Sequence, residues 1–198
     1  MFVTFEGVDG SGKTTQARLL AEQLRAEGRD VVETREPGGT RVGERIRDLI
    51  LDDEAPAPWA EAALFTAARA QLVAEVIRPA LARGADLVCD RYIDSSLAYQ
   101  GLARGLGVER VLDFNLQATG GLLPDRTFVL DVPLAEAARR RGRESDRIER
   151  EGSEFAAGVD RAYRELATLF SERIIVVDGT QPSDDLARVI RGQLRDLS

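Results

Sequence analysis

One loop motif near the amino terminus constrains the fold of this chain more than any other feature. Its pattern is G-x-x-x-x-G-K-[ST], and it follows a short apolar run and precedes a segment of helical period. The motif is Gly7-Val8-Asp9-Gly10-Ser11-Gly12-Lys13-Thr14. Its glycines allow backbone N–H groups to converge on a phosphate, and the start of the helix adds partial positive charge. We therefore expect a strand, a phosphate-binding loop and a helix; the alternative is a glycine-rich turn that only connects the two elements.

Short runs rich in Val, Ile and Phe alternate with longer segments of helical period along the chain. The predicted strands are Phe2–Glu6, Val31–Thr34, Leu87–Asp90, Thr127–Asp131 and Ile174–Asp178. The predicted helices are Lys13–Glu27, Val42–Leu51, Trp59–Arg83, Val108–Gln117, Leu134–Arg141, Glu154–Phe170 and Asp184–Asp196. This alternation predicts an α/β fold with a parallel five-stranded sheet and helices on both faces. Ligands then bind at the carboxyl ends of the strands, where Arg35 and Asp90 lie.

The composition narrows the chemistry. The sequence contains no histidine, which excludes imidazole acid–base catalysis, Ser-His and Cys-His nucleophile pairs, and imidazole metal sites. Phosphoryl transfer remains, because positioning and charge neutralisation account for most of its catalysis. The net charge of -7 argues against broad binding to nucleic acid or anionic membranes, so an anionic ligand needs a local cluster of positive groups.

The sequence favours one cytoplasmic domain over residues 1–198. Cys89 is the only cysteine, so no internal disulfide is expected, and Met1–Glu6 lacks the basic start and long apolar run of a signal peptide. No stretch approaches the roughly 18 apolar residues that suggest a membrane span. There is also no internal repeat or low-complexity linker.

Basic residues decide between classes of phosphate-binding protein. Lys13 is expected to reach the β- and γ-phosphates, and Thr14 to place its hydroxyl on Mg²⁺. A GTPase, a motor or a transporter ATPase also contains such a loop, but the N-K-x-D guanine motif is absent. Arginines instead occupy the predicted acceptor side at Arg35, Arg69 and Arg91, where bidentate contacts to phosphate are favoured. The alternative for each arginine is a solvated surface charge.

From the first strand to the turn at Thr180-Gln181-Pro182, the chain resembles the thymidylate kinase family. Phe5-Glu6-Gly7-Val8-Asp9-Gly10 is similar to that family's P-loop, which implies that Asp9 approaches the sugar 3′-hydroxyl of the acceptor or its metal. Thr34-Arg35-Glu36-Pro37-Gly38-Gly39-Thr40 resembles the loop after the second strand. The resemblance implies that Arg35 helps to hold the acceptor nucleotide.

A second resemblance lies in a predicted helix, at Phe65-Thr66-Ala67-Ala68-Arg69. In the family this segment carries an aromatic ring that stacks on thymine and an arginine that hydrogen-bonds the base edge. Residues four apart share one face of a helix, so Phe65 and Arg69 can meet the same base. The alternative is that Phe65 belongs only to the core.

Asp90-Arg91-Tyr92 resembles the family's D-R-[YH] motif, which implies that Arg91 clamps the acceptor phosphate. Asp90 then either holds Mg²⁺ through water or orients Arg91. The following segment, Ser95-Ser96-Leu97-Ala98-Tyr99-Gln100-Gly101, is similar to one in which a hydroxyl or amide reads the base and a tyrosine lies near the sugar C2′. The acceptor pocket is thus implied to contain Ser96, Tyr99 and Gln100.

A basic run at about residues 139–150 looks like the family's LID: Arg139-Arg140-Arg141-Gly142-Arg143-Glu144-Ser145-Asp146-Arg147-Ile148-Glu149. Family members with an arginine directly after the P-loop carboxylate use it to stabilise the transferred phosphoryl group. Gly10 occupies that position here, so a LID arginine is implied. Arg139, Arg140, Arg141 and Arg143 all stay open, with Arg143 favoured. Outside this context the run reads as a solvated helix end.

The resemblance implies a P-loop NTPase-type fold of the nucleoside monophosphate kinase architecture, and a reaction of ATP with dTMP that gives ADP and dTDP with Mg²⁺. The implied ATP-binding residues are the eight-residue motif with Thr15, Arg139, Arg143 and Gln181. A homodimer is expected through an apolar face on Trp59–Arg83 or Val108–Gln117. The alternatives are a kinase for another nucleoside monophosphate or a deoxynucleoside, and a nucleotide-binding switch without turnover.

Overall fold

A computed structural model describes residues 1–141 and 147–197. The strands are β1 (Phe2–Glu6), β2 (Val31–Arg35), β3 (Asp86–Asp90), β4 (Arg126–Asp131) and β5 (Ile174–Asp178). They form one sheet in the order β2-β3-β1-β4-β5, and every neighbouring pair is parallel. The parallel five-stranded sheet expected from the sequence is therefore confirmed.

The described residues contain a helix in each interval where the sequence predicts one, and one helical region that was not predicted. The α-helices are α1 (Lys13–Ala26), α2 (Arg41–Leu51), α3 (Pro58–Leu72), α4 (Arg78–Ala82), α5 (Ile93–Ser96), α6 (Val108–Thr119), α7 (Leu134–Arg141), α8 (Ser153–Leu169) and α9 (Ser183–Gly192). Two π-helical segments occur, at Val73–Ile77 and Leu97–Ala103, and two 3₁₀ turns, at Glu149–Glu151 and Arg195–Leu197.

Three helical regions differ from the prediction. The single predicted helix Trp59–Arg83 is α3 and α4 joined through the π-helical segment Val73–Ile77, which lies just before Pro79, a residue without an N–H group. The predicted last helix ends at Gly192 rather than Asp196, because glycine is unfavourable in a helix. The helical region from α5 through Leu97–Ala103 was not predicted at all.

Side chains alternate between the two faces of the sheet, and helices cover both. On one face, the core includes Val3, Phe5, Val88 and Phe128, packed with Leu20 and Leu24 of α1 and Leu186 and Ile190 of α9. On the other face, Phe2, Leu87 and Cys89 pack with Leu72 and Ile77, and Val129 packs with Val111, Val159 and Leu166. The sheet is therefore buried between two helical layers, which is the arrangement expected for parallel strands.

The central strand β1 and its neighbour β3 determine where the candidate site lies. In the register of β1 and β3, Phe5 is paired with Asp90. The loop that begins at Gly7 and the residue Arg91 therefore leave the sheet side by side, at its carboxyl edge. This edge is where open parallel sheets bind ligands.

Candidate active site

The loop from β1 to α1 closely approaches α7. Gly10 has a φ of +84°, and a Cβ on this residue would lie 2.1 Å from the backbone oxygen of Ala137. Gly12 has a φ of +99° and immediately precedes α1. Glycine is required at Gly10 both for the left-handed conformation and for the space.

Lys13 is the only lysine in the sequence and begins α1. It is buried, its Nζ donates to the backbone oxygen of Val8 at 2.9 Å, and it lies 3.6 Å from Asp9 Oδ1. Burial and the nearby Arg91 guanidinium lower the pKa of Lys13 to about 8, against the opposing effect of Asp9. A bound phosphate would add negative charge beside this buried ammonium and so favour its protonated form.

Arg91 and Asp9 form an ion pair between the ends of β3 and β1. Arg91 Nη2 donates to Asp9 Oδ1 at 2.5 Å, and Nη1 donates to Gly7 O, Ser95 Oγ and Tyr163 OH at 3.0–3.3 Å. Burial acts to raise the pKa of Asp9, but Arg91 and then Lys13 outweigh it and hold the pKa below its usual range. The Arg91 side chain is only 14% exposed, so the alternative of a solvated surface charge is wrong.

Arg91 also has a backbone φ of +71°, a conformation that residues other than glycine rarely adopt. The hydrogen bonds of its guanidinium to four separate groups accompany this conformation. Strained backbone of this kind persists where the surrounding structure over-determines it, often at functional sites. The geometry thus fixes the guanidinium at the carboxyl edge of the sheet.

Two cavities meet at this ion pair. The larger, of about 600 Å³, is lined by the loop and α1 from Asp9 to Gln16, with Arg35, Asp90, Arg140 and Gln181 among its other walls. The smaller, of about 90 Å³, is lined by Phe65, Ser95, Ser96, Tyr99, Gln100 and several apolar neighbours. Asp9, Glu36, Arg47 and Arg91 line both cavities. A phosphate in the larger cavity and a ligand in the smaller one would therefore share contacts with Asp9 and Arg91.

Three of the described residues predicted to contact ATP do not line the larger cavity. Gly7 and Val8 do not line the larger cavity, and their carbonyl oxygens instead accept hydrogen bonds from Arg91 and Lys13. Arg139 is 79% exposed, whereas Arg140 lines the larger cavity and donates to Gly179 O at 2.9 Å. Arg143 lies outside the described residues.

Thr14 and Asp90 lie together at the larger cavity. Thr14 Oγ1 donates to Asp90 Oδ2 at 2.5 Å, and Asp90 Oδ1 is buried with no hydrogen-bond partner among the described residues. Within residues 1–141 and 147–197 no three His, Cys, Asp or Glu side chains form a group suited to a metal. A hydroxyl and one carboxylate fit Mg²⁺, which keeps waters and takes most of its other ligands from nucleotide phosphates.

The smaller cavity has an aromatic wall and a buried polar floor. Phe65 is half-buried and lines the cavity, so its ring is not purely a core side chain. Arg69 is 1% exposed, which makes the surface alternative wrong. Its Nε and both Nη atoms are engaged by Glu36, Ser96, Asn115 and the carbonyl of Tyr92. A direct contact of Arg69 with a base edge stays a prediction, and here the residue supports the floor.

The sequence did not single out two residues that line both cavities. Glu36 is buried, and its Oε1 has no hydrogen-bond partner among the described residues. Burial raises the pKa of Glu36 despite the opposing charge of Arg69. Arg47 donates to Pro37 O at 3.1 Å. The place of Arg47 depends on how α2 packs against the loop after β2, which leaves no local signal in the sequence. Glu36, by contrast, belongs to the segment 34–40, whose family resemblance is a signal that could have indicated it.

The sheet order, the phosphate-binding loop with its lysine, and the adjoining second cavity define a P-loop kinase of the nucleoside monophosphate kinase architecture. The family model described as thymidylate kinase matches residues 5–190. The chain belongs to the thymidylate kinase family.

Relatives and a solved structure agree with this membership. The thymidylate kinase of Caldanaerobacter subterraneus subsp. tengcongensis is 50% identical over 182 residues, covering 91% of this chain and 88% of the relative. That of Symbiobacterium thermophilum is 47% identical over 200 residues, covering 100% and 94%. The crystal structure of thymidylate kinase from Ehrlichia chaffeensis aligns with a TM-score of 0.79 and 32% identity over 98% of both chains. The family and the fold predicted from the sequence are thus confirmed.

No helix among the described residues has both the length and the apolar character required to cross a membrane.

Proposed function

We propose that this chain transfers the γ-phosphoryl group of ATP to dTMP, giving ADP and dTDP for dTTP biosynthesis; it is a phosphotransferase with a phosphate group as acceptor. The observation that carries this proposal is the junction of the two cavities at Asp9 and Arg91. A donor phosphate beside Lys13 and an acceptor beside Phe65 would bring their reacting groups to this junction.

ATP is assigned to the larger cavity. The part of the loop and α1 from Asp9 to Thr15 would supply backbone N–H groups, Lys13 supplies a buried positive charge, and Gln181 also lines the cavity. Thr14 and Asp90 would hold Mg²⁺. When bound, the ion neutralises charge on the phosphate oxygens. Arg139 and Arg143 remain candidates for the LID contacts, and the cavity contact of Arg140 supports adding that residue.

dTMP is assigned to the smaller cavity. Phe65 offers a ring for stacking, Ser96 and Gln100 offer polar atoms to the base, and Tyr99 lies near Asp9 with its hydroxyl 3.4 Å from Asp9 Oδ2. Arg91, which lines both cavities, and Arg35, which lines the larger one, are the proposed contacts of the dTMP phosphate. The acceptor phosphate is already an anionic nucleophile, so the reaction requires no protein general base, and positioning with charge compensation supplies the catalysis.

We also propose a single kinase domain with a LID at about residues 139–150, a cytoplasmic location, and a homodimer. Trp59 of α3 and Phe114 of α6 support the dimer, because both are large exposed apolar side chains and their ring centroids lie 6.3 Å apart. This pair joins the two helices from which the sequence predicts an apolar face.

The test is ADP release from ATP and Mg²⁺ with a panel of acceptors: dTMP, dUMP, dCMP, dGMP, UMP and thymidine. We expect dTMP to give the highest kcat/KM. A higher value for another monophosphate would replace the acceptor while keeping the reaction class. Turnover of thymidine alone would indicate a nucleoside kinase, and no acceptor-dependent ADP release at all would reject the kinase assignment.

A further inference from the structure

Glu61 is a buried carboxylate in the first turn of α3, and it has no part in the site described so far. The residue is 1% exposed. Its oxygens accept hydrogen bonds from Gln100 Nε2 at 3.0 Å, Arg104 at 2.9 and 3.0 Å, and Arg147 Nη2 at 2.7 Å. Glu151 also pairs with both arginines, so two carboxylates and two guanidinium groups form one compact charge cluster.

Glu61 determines which way the amide of Gln100 faces. An ionised carboxylate only accepts hydrogen bonds, so the amide nitrogen of Gln100 must face Glu61. Burial acts to raise the pKa of Glu61, but its hydrogen bonds from Arg104 and Arg147 outweigh burial and lower it, which keeps the group ionised. Gln100 lines the smaller cavity, and its Oε1 accepts no hydrogen bond from the described part of the chain. The polar atom left for a ligand is therefore an acceptor.

Ser96 has the opposite polarity on the same cavity. Its Oγ accepts a hydrogen bond from Arg69 Nη1 at 2.9 Å, and a guanidinium group only donates. The hydroxyl hydrogen of Ser96 is consequently left for a ligand. Two buried ions of opposite sign thus orient two neutral side chains, so that the cavity presents one fixed acceptor and one fixed donor.

We propose that Glu61 is a specificity-determining positioning residue, which holds Gln100 with its carbonyl oxygen toward the base and so selects a thymine or uracil ring over cytosine. The inference rests on the proposed function. The imide edge of thymine offers an N3–H donor and a C4 carbonyl acceptor, which match Gln100 and Ser96. Cytosine offers an N3 acceptor and an N4 amino donor, so both pairings would be reversed and leave buried polar groups unpaired.

The experiment measures the ratio of kcat/KM for dTMP to kcat/KM for dCMP in the full chain. Glu61→Gln is close to isosteric, and its amide accepts or donates, so Gln100 is free to turn over. We expect the ratio to fall by about tenfold or more, the effect of one mispaired hydrogen bond. Glu151→Gln removes a carboxylate from the same cluster without a contact to Gln100, and it should leave the ratio unchanged.

The exchange Glu61→Gln/Gln100→Glu keeps the charge of the cluster and again leaves an acceptor at position 100, so it should restore the ratio. A folded Glu61→Gln protein with the wild-type ratio overturns the proposal. If Glu61→Gln fails to fold, two other variants test the proposal. The ratio of kcat/KM for dTMP to that for dCMP should equal the wild-type ratio in Glu61→Gln/Gln100→Glu and should fall in Gln100→Leu. Any other pattern overturns the proposal. Absence of dTMP turnover by the wild type would instead reject the proposed function.

Discussion

The guanidinium of Arg91 donates to Asp9 Oδ1 at 2.5 Å, so that a residue following β3 is fixed to a residue of the phosphate-binding loop after β1. Because both residues line both cavities, this pair lies where the donor and acceptor phosphates of the proposed reaction would meet. An acceptor phosphate would bring a negative charge to Arg91, whose anionic partner in this structure is Asp9. Arg91 is therefore the residue whose loss should separate acceptor binding from ATP binding most clearly.

We expect Arg91→Met to weaken dTMP binding by about 10- to 100-fold, because it removes a charge-assisted donor to the acceptor phosphate. Binding of a non-hydrolysable ATP analogue should change much less. Calorimetry with each ligand measures both affinities. Arg164→Met is the matched control, since the ion pairs of Arg164 with Asp131 and Asp160 lie outside both cavities. Unchanged dTMP affinity in Arg91→Met would contradict the assignment.

The fold was predictable from the sequence where a local pattern of residues marks an element. The strands lie within a residue of their predicted bounds because a buried parallel strand is a short apolar run with distinct ends. The phosphate-binding loop was predictable because its glycines and Lys13 are contiguous. The segment from α5 through Leu97–Ala103 was missed because residues 92–98 are all buried, including the polar Asp94, Ser95 and Ser96, so polarity does not mark an exposed helical face there.

The site was predictable only in part, because its electrostatics join residues far apart in the chain. Phe65, Tyr99 and Gln100 were placed by family resemblance, and the structure brings them to one cavity. The pairing of Glu61 with Arg147 spans 86 residues, and neither residue stands in a pattern that marks the other. The polarity of Gln100 follows from that pairing, and so it could not be deduced from local sequence.

Glu6 gives a prediction about stability and pH. It is fully buried and accepts hydrogen bonds from the backbone N–H of Tyr92 and the hydroxyls of Ser95 and Tyr163. Burial, with a further contribution from Asp94, raises the pKa of Glu6 to about 7 against the opposing effect of Arg91. Between about pH 4.5 and pH 7 the native state therefore binds a proton that the unfolded state releases. The contribution of Glu6 to stability is present below this window and is lost as the pH rises through it.

Glu6→Gln should remove this pH dependence, which amounts to about 3 kcal/mol for a shift of this size. Urea unfolding at pH 5, 6, 7 and 8 measures the free energy of unfolding of each protein. As the pH rises, we expect the free energy of unfolding of the wild type to fall relative to that of Glu6→Gln. Glu165 is exposed, so Glu165→Gln is the control. Its free energy of unfolding should change with pH in the same way as that of the wild type. A constant difference for Glu6→Gln across this range would contradict the prediction.

Tyr99 gives a prediction about the sugar. Its ring lies beside the Asp9–Arg91 pair, with the Arg91 guanidinium carbon 5.4 Å from the ring centroid. If the ring contacts C2′ of the acceptor, it excludes a ribose hydroxyl by contact. Tyr99→Ala should then narrow the gap in kcat/KM between deoxyribo- and ribothymidylate. Tyr99→Phe keeps the ring and should keep the gap, and an unchanged ratio in Tyr99→Ala would show that Tyr99 is not the sugar gate.

The last prediction concerns the arginine that stabilises the transferred phosphoryl group. α7 ends at Arg141, Arg140 lines the larger cavity, and Arg139 is exposed, while Arg143 lies outside the described residues. An arginine that engages charge developing in the transition state affects the chemical step more than ground-state affinity. Arg143→Ala should therefore slow single-turnover phosphoryl transfer by about 10²-fold or more, with dTMP affinity nearly unchanged. Arg164→Ala is the control for loss of an arginine outside both cavities and should stay close to wild type. If Arg143→Ala transfers at the normal rate while Arg140→Ala is slow, the residue that lines the cavity, Arg140, carries the role instead.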